Sequence, residues 1–270
     1  PTKFPIGQNR WGFLPMQIQL FLNVDNKKCL KSATSRKPIE NKPCILRKGV
    51  ENNVKQSFIA CLADLYVEFE DSKDKLIPTI FEMKQIIVDS LTINKFIGYQ
   101  NASLISIFTD KTQIVTTDEY RQERIFQNMK EENFEEYYQK VVSAYENFKK
   151  YLLDEETEID HTYLWDIVCE PNKKLFTTGL NLVILNIPED DITNNVEFIC
   201  PTNYYSSKKY DSRRGTFILI KKYNYYEPVY TYTDVGKRII ADKIFFEKGK
   251  KIDENIKKVL QAIKQVVLKS

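Results

Sequence analysis

Hydrophobic positions keep two different periods along this chain. Up to about residue 157 they recur every three or four residues, the spacing of one helix face, and after residue 160 they gather into short runs. Leu14, Ile18, Phe21 and Leu22 share a face of a helix whose first turn Pro15 suits. Residues 24–50, rich in Lys, Asn, Ser and Pro, read as loop. Phe58, Cys61, Leu62, Leu65, Tyr66 and Phe69 form the buried stripe of a second helix. A third follows Pro78, with Ile80, Phe81, Met83, Ile86, Ile87 and Leu91 inward, and a short one covers 102–108. The clearest helix is 132–153. There Phe134, Tyr137, Tyr138, Val141, Val142, Tyr145, Phe148, Tyr151 and Leu152 line one side and charges fill the other. A core-facing stripe explains these aromatics better than a ligand-binding box.

The runs 182–187, 196–200 and 216–220 read as strands. The third turns through Lys222-Tyr223-Asn224-Tyr225 into 226–232, a hairpin, and Pro228 places its second arm at a sheet edge. Residues 239–246 suit another strand, and Asp253 suits the cap of an amphipathic helix running through Leu268. The fold class expected is α+β: a helical N-terminal half followed by a mainly antiparallel sheet closed by a C-terminal helix. The change of period divides the chain into a mainly helical region, 1–157, and a β-rich region with the C-terminal helix, 158–270, as separate units or one composite domain.

Composition sharpens this picture. The chain has 270 residues, 42% of them hydrophobic, enough for a sizeable core. Its net charge is only +3, but the charges are sorted. Residues 1–55 hold 11 Lys+Arg against 3 Asp+Glu, and residues 201–270 hold 16 against 7. Residues 118–170 hold 6 against 15. Such sorting suits a basic surface facing a polyanion and an acidic one facing solvent or a basic partner. The heavy use of Lys, Asn, Ile and Tyr fits an AT-rich genome, which accounts for the number of basic residues but not their placement. The cysteines are Cys29, Cys44, Cys61, Cys169 and Cys200, an odd number at wide spacing with a single histidine, His161. No zinc site is expected from them; free, buried thiols in a reducing compartment are. No apolar run approaches the roughly 20 residues of a membrane span, so no membrane partner is expected. The chain opens on Pro1 without Met, which reads as a piece of something longer.

Four clusters bear on chemistry. In the first, Lys208, Lys209, Arg213 and Arg214 feed into Lys221, Lys222, Tyr223 and Tyr225. Lysine and arginine neutralise phosphates, and tyrosine rings stack on unpaired bases, so a basic, aromatic loop entering a hairpin suits a nucleic-acid backbone; the plainer alternative is a solvated loop. The second is Asp166 with Lys221, remnants of a metal-dependent nuclease core, although Leu219 stands where such a core needs an acid. The third is His161 with Asp160 and Cys169, which resembles half of a catalytic pair but more commonly serves structure. The fourth is the set of eight glycines, too scattered for a phosphate-cradling loop, so no nucleotide cofactor is expected.

Several word patterns are familiar. They include Arg10-Trp11-Gly12-Phe13-Leu14-Pro15, Pro43-Cys44-Ile45-Leu46-Arg47-Lys48-Gly49-Val50, Gln56-Ser57-Phe58-Ile59-Ala60-Cys61, His161-Thr162-Tyr163-Leu164-Trp165-Asp166 and Tyr225-Tyr226-Glu227-Pro228-Val229-Tyr230. Together they resemble a segment of the large subunit of the early transcription factor of giant viruses with large cytoplasmic DNA genomes. The resemblance implies a non-catalytic, promoter-DNA-binding part of a viral transcription machine. It also implies viral transcription proteins as partners, and a place in the host cytoplasm (the viral factory) or the virion. It transfers no catalytic residue. Two alternatives stay open: an active or degenerate nuclease module, and an assembly protein without nucleic-acid affinity. The sequence leaves the oligomeric state undetermined.

Overall fold

The structure, a computed structural model, describes residues 3–32, 34–35, 37–70, 76–127, 129, 131–189, 193–199, 210–236, 238–247 and 254–269. In chain order its elements are β1 (Trp11–Gly12), α1 (Met16–Leu22), a 3-10 turn (Asn26–Cys29), β2 (Cys44–Lys48), α2 (Ser57–Tyr66), α3 (Ile80–Ser90), α4 (Ile93–Phe96), a second 3-10 turn (Tyr99–Ala102), α5 (Ser103–Phe108) and α6 (Glu131–Leu153). Then follow α7 (Trp165–Cys169), β3 (Leu180–Ile187), β4 (Glu197–Ile199), β5 (Gly215–Lys222), β6 (Tyr225–Asp234), β7 (Ile239–Asp242) and α8 (Glu254–Lys269). The fold is α+β, with one mixed sheet of order β1-β2-β6-β5-β3-β4 and β7 paired to β6. Among the described strands only β3 and β5 run parallel; the other pairs are antiparallel.

Three expectations change. Residues 44–48 form a buried strand rather than loop, so the N-terminal third contributes β1 and β2 to the sheet. β6 is central rather than an edge strand: it pairs with β5 through Tyr225–Pro228, with β2 through Val229–Tyr232 and with β7 through Thr231–Asp234. Pro228 is tolerated because it sits at the seam, opposite Leu219 and one residue before pairing with β2 begins, where a missing N–H removes least from the ladder. Phe81 is 60% exposed, outside the inward stripe of α3 that Ile80, Met83 and Ile87 provide. That helix starts from a capping box between Thr79 and Glu82. The proposed cap Asp253 lies outside the described residues.

Strand alternation separates two cores. Leu182, Ile184, Phe217, Leu219, Tyr226 and Tyr230 belong to a large core with the helices α2 to α7. Val183, Leu185, Ile187, Ile218, Ile220 and Val229 belong to a second core with Leu14, Ile18 and Leu22 at α1 and Ile256, Val259 and Leu260 of α8. The sheet is thus covered on both faces. Within the large core α2 lies against β6 and α7 against β3, while α6 packs on α3 and α5. The aromatic stripe of α6 faces inward, with Tyr138, Val141, Val142, Tyr145, Phe148 and Leu152 buried.

Buried charges tie the layers together. Arg47 and Glu227, both 1% exposed, pair at 2.5 Å. Arg47 also donates to the Phe13 and Lys3 carbonyls, and Glu227 accepts the Ile6 N–H. Asp64 is held by Lys48, by the Tyr230 hydroxyl at 2.6 Å and by Lys243 at 3.4 Å. Lys84, buried in α3, donates to the carbonyl oxygens of Leu153 and Asp154, and Gln56 donates to those of Asp154 and Thr157. These groups satisfy the last carbonyl of α6 and those of the segment just after it, and the Lys84 cation meets the negative end of the helix dipole. Cys29 and Cys44 form a disulfide across a Cα–Cα distance of 5.8 Å, which corrects the free-thiol expectation for these two. Cys61 and Cys169 are free and buried, and Cys200 lies outside the described residues.

Candidate nucleic-acid interface

The hairpin forms because the apolar arms Phe217–Ile220 and Tyr226–Tyr230 each supply residues to alternate faces and a two-residue turn joins them. Its last pair is Lys222 opposite Tyr225, leaving Tyr223 and Asn224 as the turn. Tyr223 has a φ of 55°, the left-handed region that costs a side-chain-bearing residue free energy. It is nevertheless 48% exposed, so packing does not account for its conformation. The Lys222 ammonium lies 5.4 Å from its ring centre and the Lys221 ammonium 5.7 Å from that of Tyr226, both cation–π geometries. Tyr225 is half-buried. An exposed ring held in a strained backbone beside an ammonium has the parts needed to stack on a base while the cation meets its phosphate.

The hairpin is fixed from beneath. The Tyr226 N–H donates to the Ser57 hydroxyl at 3.0 Å at the start of α2. The Tyr226 hydroxyl shares a hydrogen bond of 2.9 Å with His161 Nδ1. Burial holds the imidazole below its ordinary 6.5; the Asp160 carboxylate opposes that shift and the Lys221 ammonium reinforces it. The neutral ring thus serves as a support for Tyr226. Cys169 sits elsewhere: burial pushes its thiol up to about 12, far from a nucleophile, while its sulfur accepts the Leu182 N–H. The paired histidine and cysteine considered from sequence are therefore engaged with other groups.

The basic residues separate in space. Arg213 and Arg214 precede β5, while Lys221, Lys222, Tyr223 and Tyr225 lie at its far end, about 25 Å away for eight residues at roughly 3.3 Å each. Arg213 grips Asp211 through two hydrogen bonds of 3.0 and 2.8 Å, which hold that carboxyl at about 2. Arg214 donates to the Cys169 carbonyl at 2.8 Å. Both are partly neutralised or engaged, so the hairpin end is the stronger half of the surface. Lys208 and Lys209 lie outside the described residues. Of the N-terminal basic stretch, Arg47 and Lys48 are internal, bound to Glu227 and Asp64.

Asp166, the acid of the nuclease alternative, is buried in α7 and accepts the Gln100 N–H at 2.6 Å. Gln100, Asn101 and Ala102 all carry positive φ, so this carboxylate clamps a left-handed turn. Its partner in that alternative, Lys221, stacks over Tyr226. Among the described residues no three His, Cys, Asp or Glu side chains converge to hold a metal ion. Nor is any described helix long and apolar enough to cross a membrane. In comparisons with known proteins, no family model, no curated protein and no solved structure matches the chain.

Proposed function

We propose that this chain is a non-catalytic nucleic-acid-binding module of a giant-virus transcription factor, which meets DNA through Lys221, Lys222, Tyr223 and Tyr225 at the hairpin. The placement of charge supports this reading. Residues 56–170, which form α2 to α7 on one side of the sheet, carry 11 Lys+Arg and 23 Asp+Glu. The basic N- and C-terminal segments come together through the pairing of β2 with β6 and the packing of α1 on α8. A duplex or single strand approaching this molecule is repelled by the helical layer and drawn to the sheet ends and the α1–α8 side. The family assignment rests on the sequence words alone; viral transcription proteins are the partners it brings, in the host cytoplasm or the virion. Ultraviolet crosslinking to a labelled oligonucleotide, followed by peptide mapping, tests the surface. Adducts are expected on peptides spanning 210–226. Adducts confined to α6, or none, overturn the reading.

A further inference from the structure

We infer that the loop closed by Cys29 and Cys44 is a second nucleic-acid backbone contact, separate from the hairpin, and that the disulfide keeps it in its binding shape. The loop lies at the opposite end of β6 from the hairpin turn, since the Asn41 N–H donates to the Asp234 carbonyl at 2.7 Å. Lys27, Lys28, Lys37 and Lys42 are all exposed on it or at its root. Among the described residues none of these four makes an ion pair, whereas Lys31 is taken up by Glu40 at 2.7 Å. Two open hollows flank Lys28. One, of about 460 Å³, is lined by Phe13, Lys27, Lys28, Leu30 and Ser32. The other, of about 240 Å³, includes Lys28, Lys42 and the disulfide in its wall. Exposed ammonium groups that make no ion pair, beside concave surface whose wall holds one carboxylate, Asp25, suit contact with phosphates, where each neutralised phosphate releases counterions.

The loop is shaped locally rather than by the core. Leu30 bridges Pro38, the Ile39 N–H donates to the Cys29 carbonyl at 2.8 Å, and Lys42 Nζ donates to the Lys28 carbonyl at 3.2 Å. Asn26 touches the Cys44 sulfur at 3.8 Å, but both roots are also held by groups other than the sulfurs. On one side buried Asn26 accepts the Leu14 N–H at 2.7 Å and donates to the Ile45 carbonyl at 2.8 Å. On the other, β2 is paired along β6. A dithiol that passes two electrons and two protons to Cys29–Cys44 yields two thiols and is itself oxidised to a disulfide. That step frees the loop and leaves the sheet in place. The four lysines then have to be ordered as they bind, which weakens association.

The test uses the full chain and anisotropy of a labelled duplex across a salt series. Changing Lys27, Lys28, Lys37 and Lys42 together to Gln is expected to make the salt slope shallower by up to about 3.6, at about 0.9 per phosphate contact. Adding dithiothreitol is expected to weaken the unaltered protein roughly three- to tenfold, the cost of ordering one mobile basic segment. It should leave the quadruple variant unchanged, and Cys29→Ser with Cys44→Ser should match the reduced protein while keeping its melting temperature within a few degrees. A quadruple variant that binds as tightly as the unaltered protein overturns the inference. So does a reductant that weakens both proteins equally. Tyr223→Gly with Lys222→Gln, read on a labelled oligo-dT strand as well as on the duplex, is the parallel arm. If it alone loses binding, the hairpin reading stands and the loop contact falls; if only the quadruple lysine variant loses binding, the loop contact stands and the hairpin reading falls.

Discussion

Replacing Tyr223 with glycine separates stability from binding, because the fold changes little while single-strand binding falls. The residue sits at φ 55° at the hairpin turn and is 48% exposed, so its ring contributes little to the core. A side chain in the left-handed region costs about 1–2 kcal/mol, which glycine removes. Glycine also gives the unfolded chain more freedom, worth about 0.5–1 kcal/mol against the fold. Loss of the exposed contact between Lys222 and the ring takes about another 0.5 kcal/mol. The net change lies between about −0.5 and +1 kcal/mol in favour of the folded state, a shift in Tm of about −1 to +2 °C for a chain of this size. A base stacked on the ring is worth about 1–3 kcal/mol, so single-strand affinity should fall roughly 5- to 150-fold. Duplex affinity should change much less, since paired bases offer no free face. Thermal melting and anisotropy with an oligo-dT strand and a duplex read all three quantities. A variant that melts well below the unaltered protein and loses both ligands equally would refute the reasoning, because it would place the ring in the fold rather than on the ligand.

Four further outcomes follow from named contacts. Asp166→Ala leaves the Gln100 N–H buried without an acceptor and should cost about 1–3 kcal/mol in a denaturant titration; a variant as stable as the parent would contradict the clamp. Plasmid incubated with the unaltered protein and Mg²⁺ or Mn²⁺ should remain intact, and metal-dependent cutting lost in Lys221→Ala would promote the nuclease alternative. Glu227→Ala leaves Arg47 buried without its carboxylate and should cost about 3–5 kcal/mol, read as a shifted denaturant midpoint; a loss below about 1 kcal/mol, the level of a surface pair, would contradict the buried pair. His161 has a folded-state pKa below 6.5, so the stability it contributes is present above that pH and lost as pH falls through the lower folded value. Unfolding free energy should therefore drop on acidification below about pH 6.5, and His161→Gln should flatten that part of the profile; an unchanged profile would show that another group titrates there.

Much of the fold was legible because it is written in local periodicity. The stripe of α6, the β5–β6 hairpin and the inward face of α8 follow from spacing within one segment. What stayed hidden depends on distant partners. β2 reads as a basic loop because Arg47 and Lys48 look solvated, yet Arg47 meets Glu227, 180 residues away, and Lys48 meets Asp64. The same pairing removes charge from the surface that a count by segment assigns to it. The disulfide was hidden for a related reason: nothing in an odd set of widely spaced cysteines tells which two the fold of residues 29–44 brings together. At the hairpin, residue types pointed to Lys222 and Tyr223, but neither the left-handed backbone nor the separation from Arg213 and Arg214 is visible without the strand between them.

The measurement closest to the central claim is the salt dependence of DNA affinity for the full chain. Contact with about five phosphates gives a slope near −4.5 on logarithmic axes, a loss of roughly 500-fold between about 50 and 200 mM salt. A steep, linear decline of that order is expected for duplex DNA, and a shallower one, near −3.5 or roughly 130-fold, for single-stranded DNA. An affinity that does not change with salt, or no binding at the lowest salt, would contradict the nucleic-acid reading.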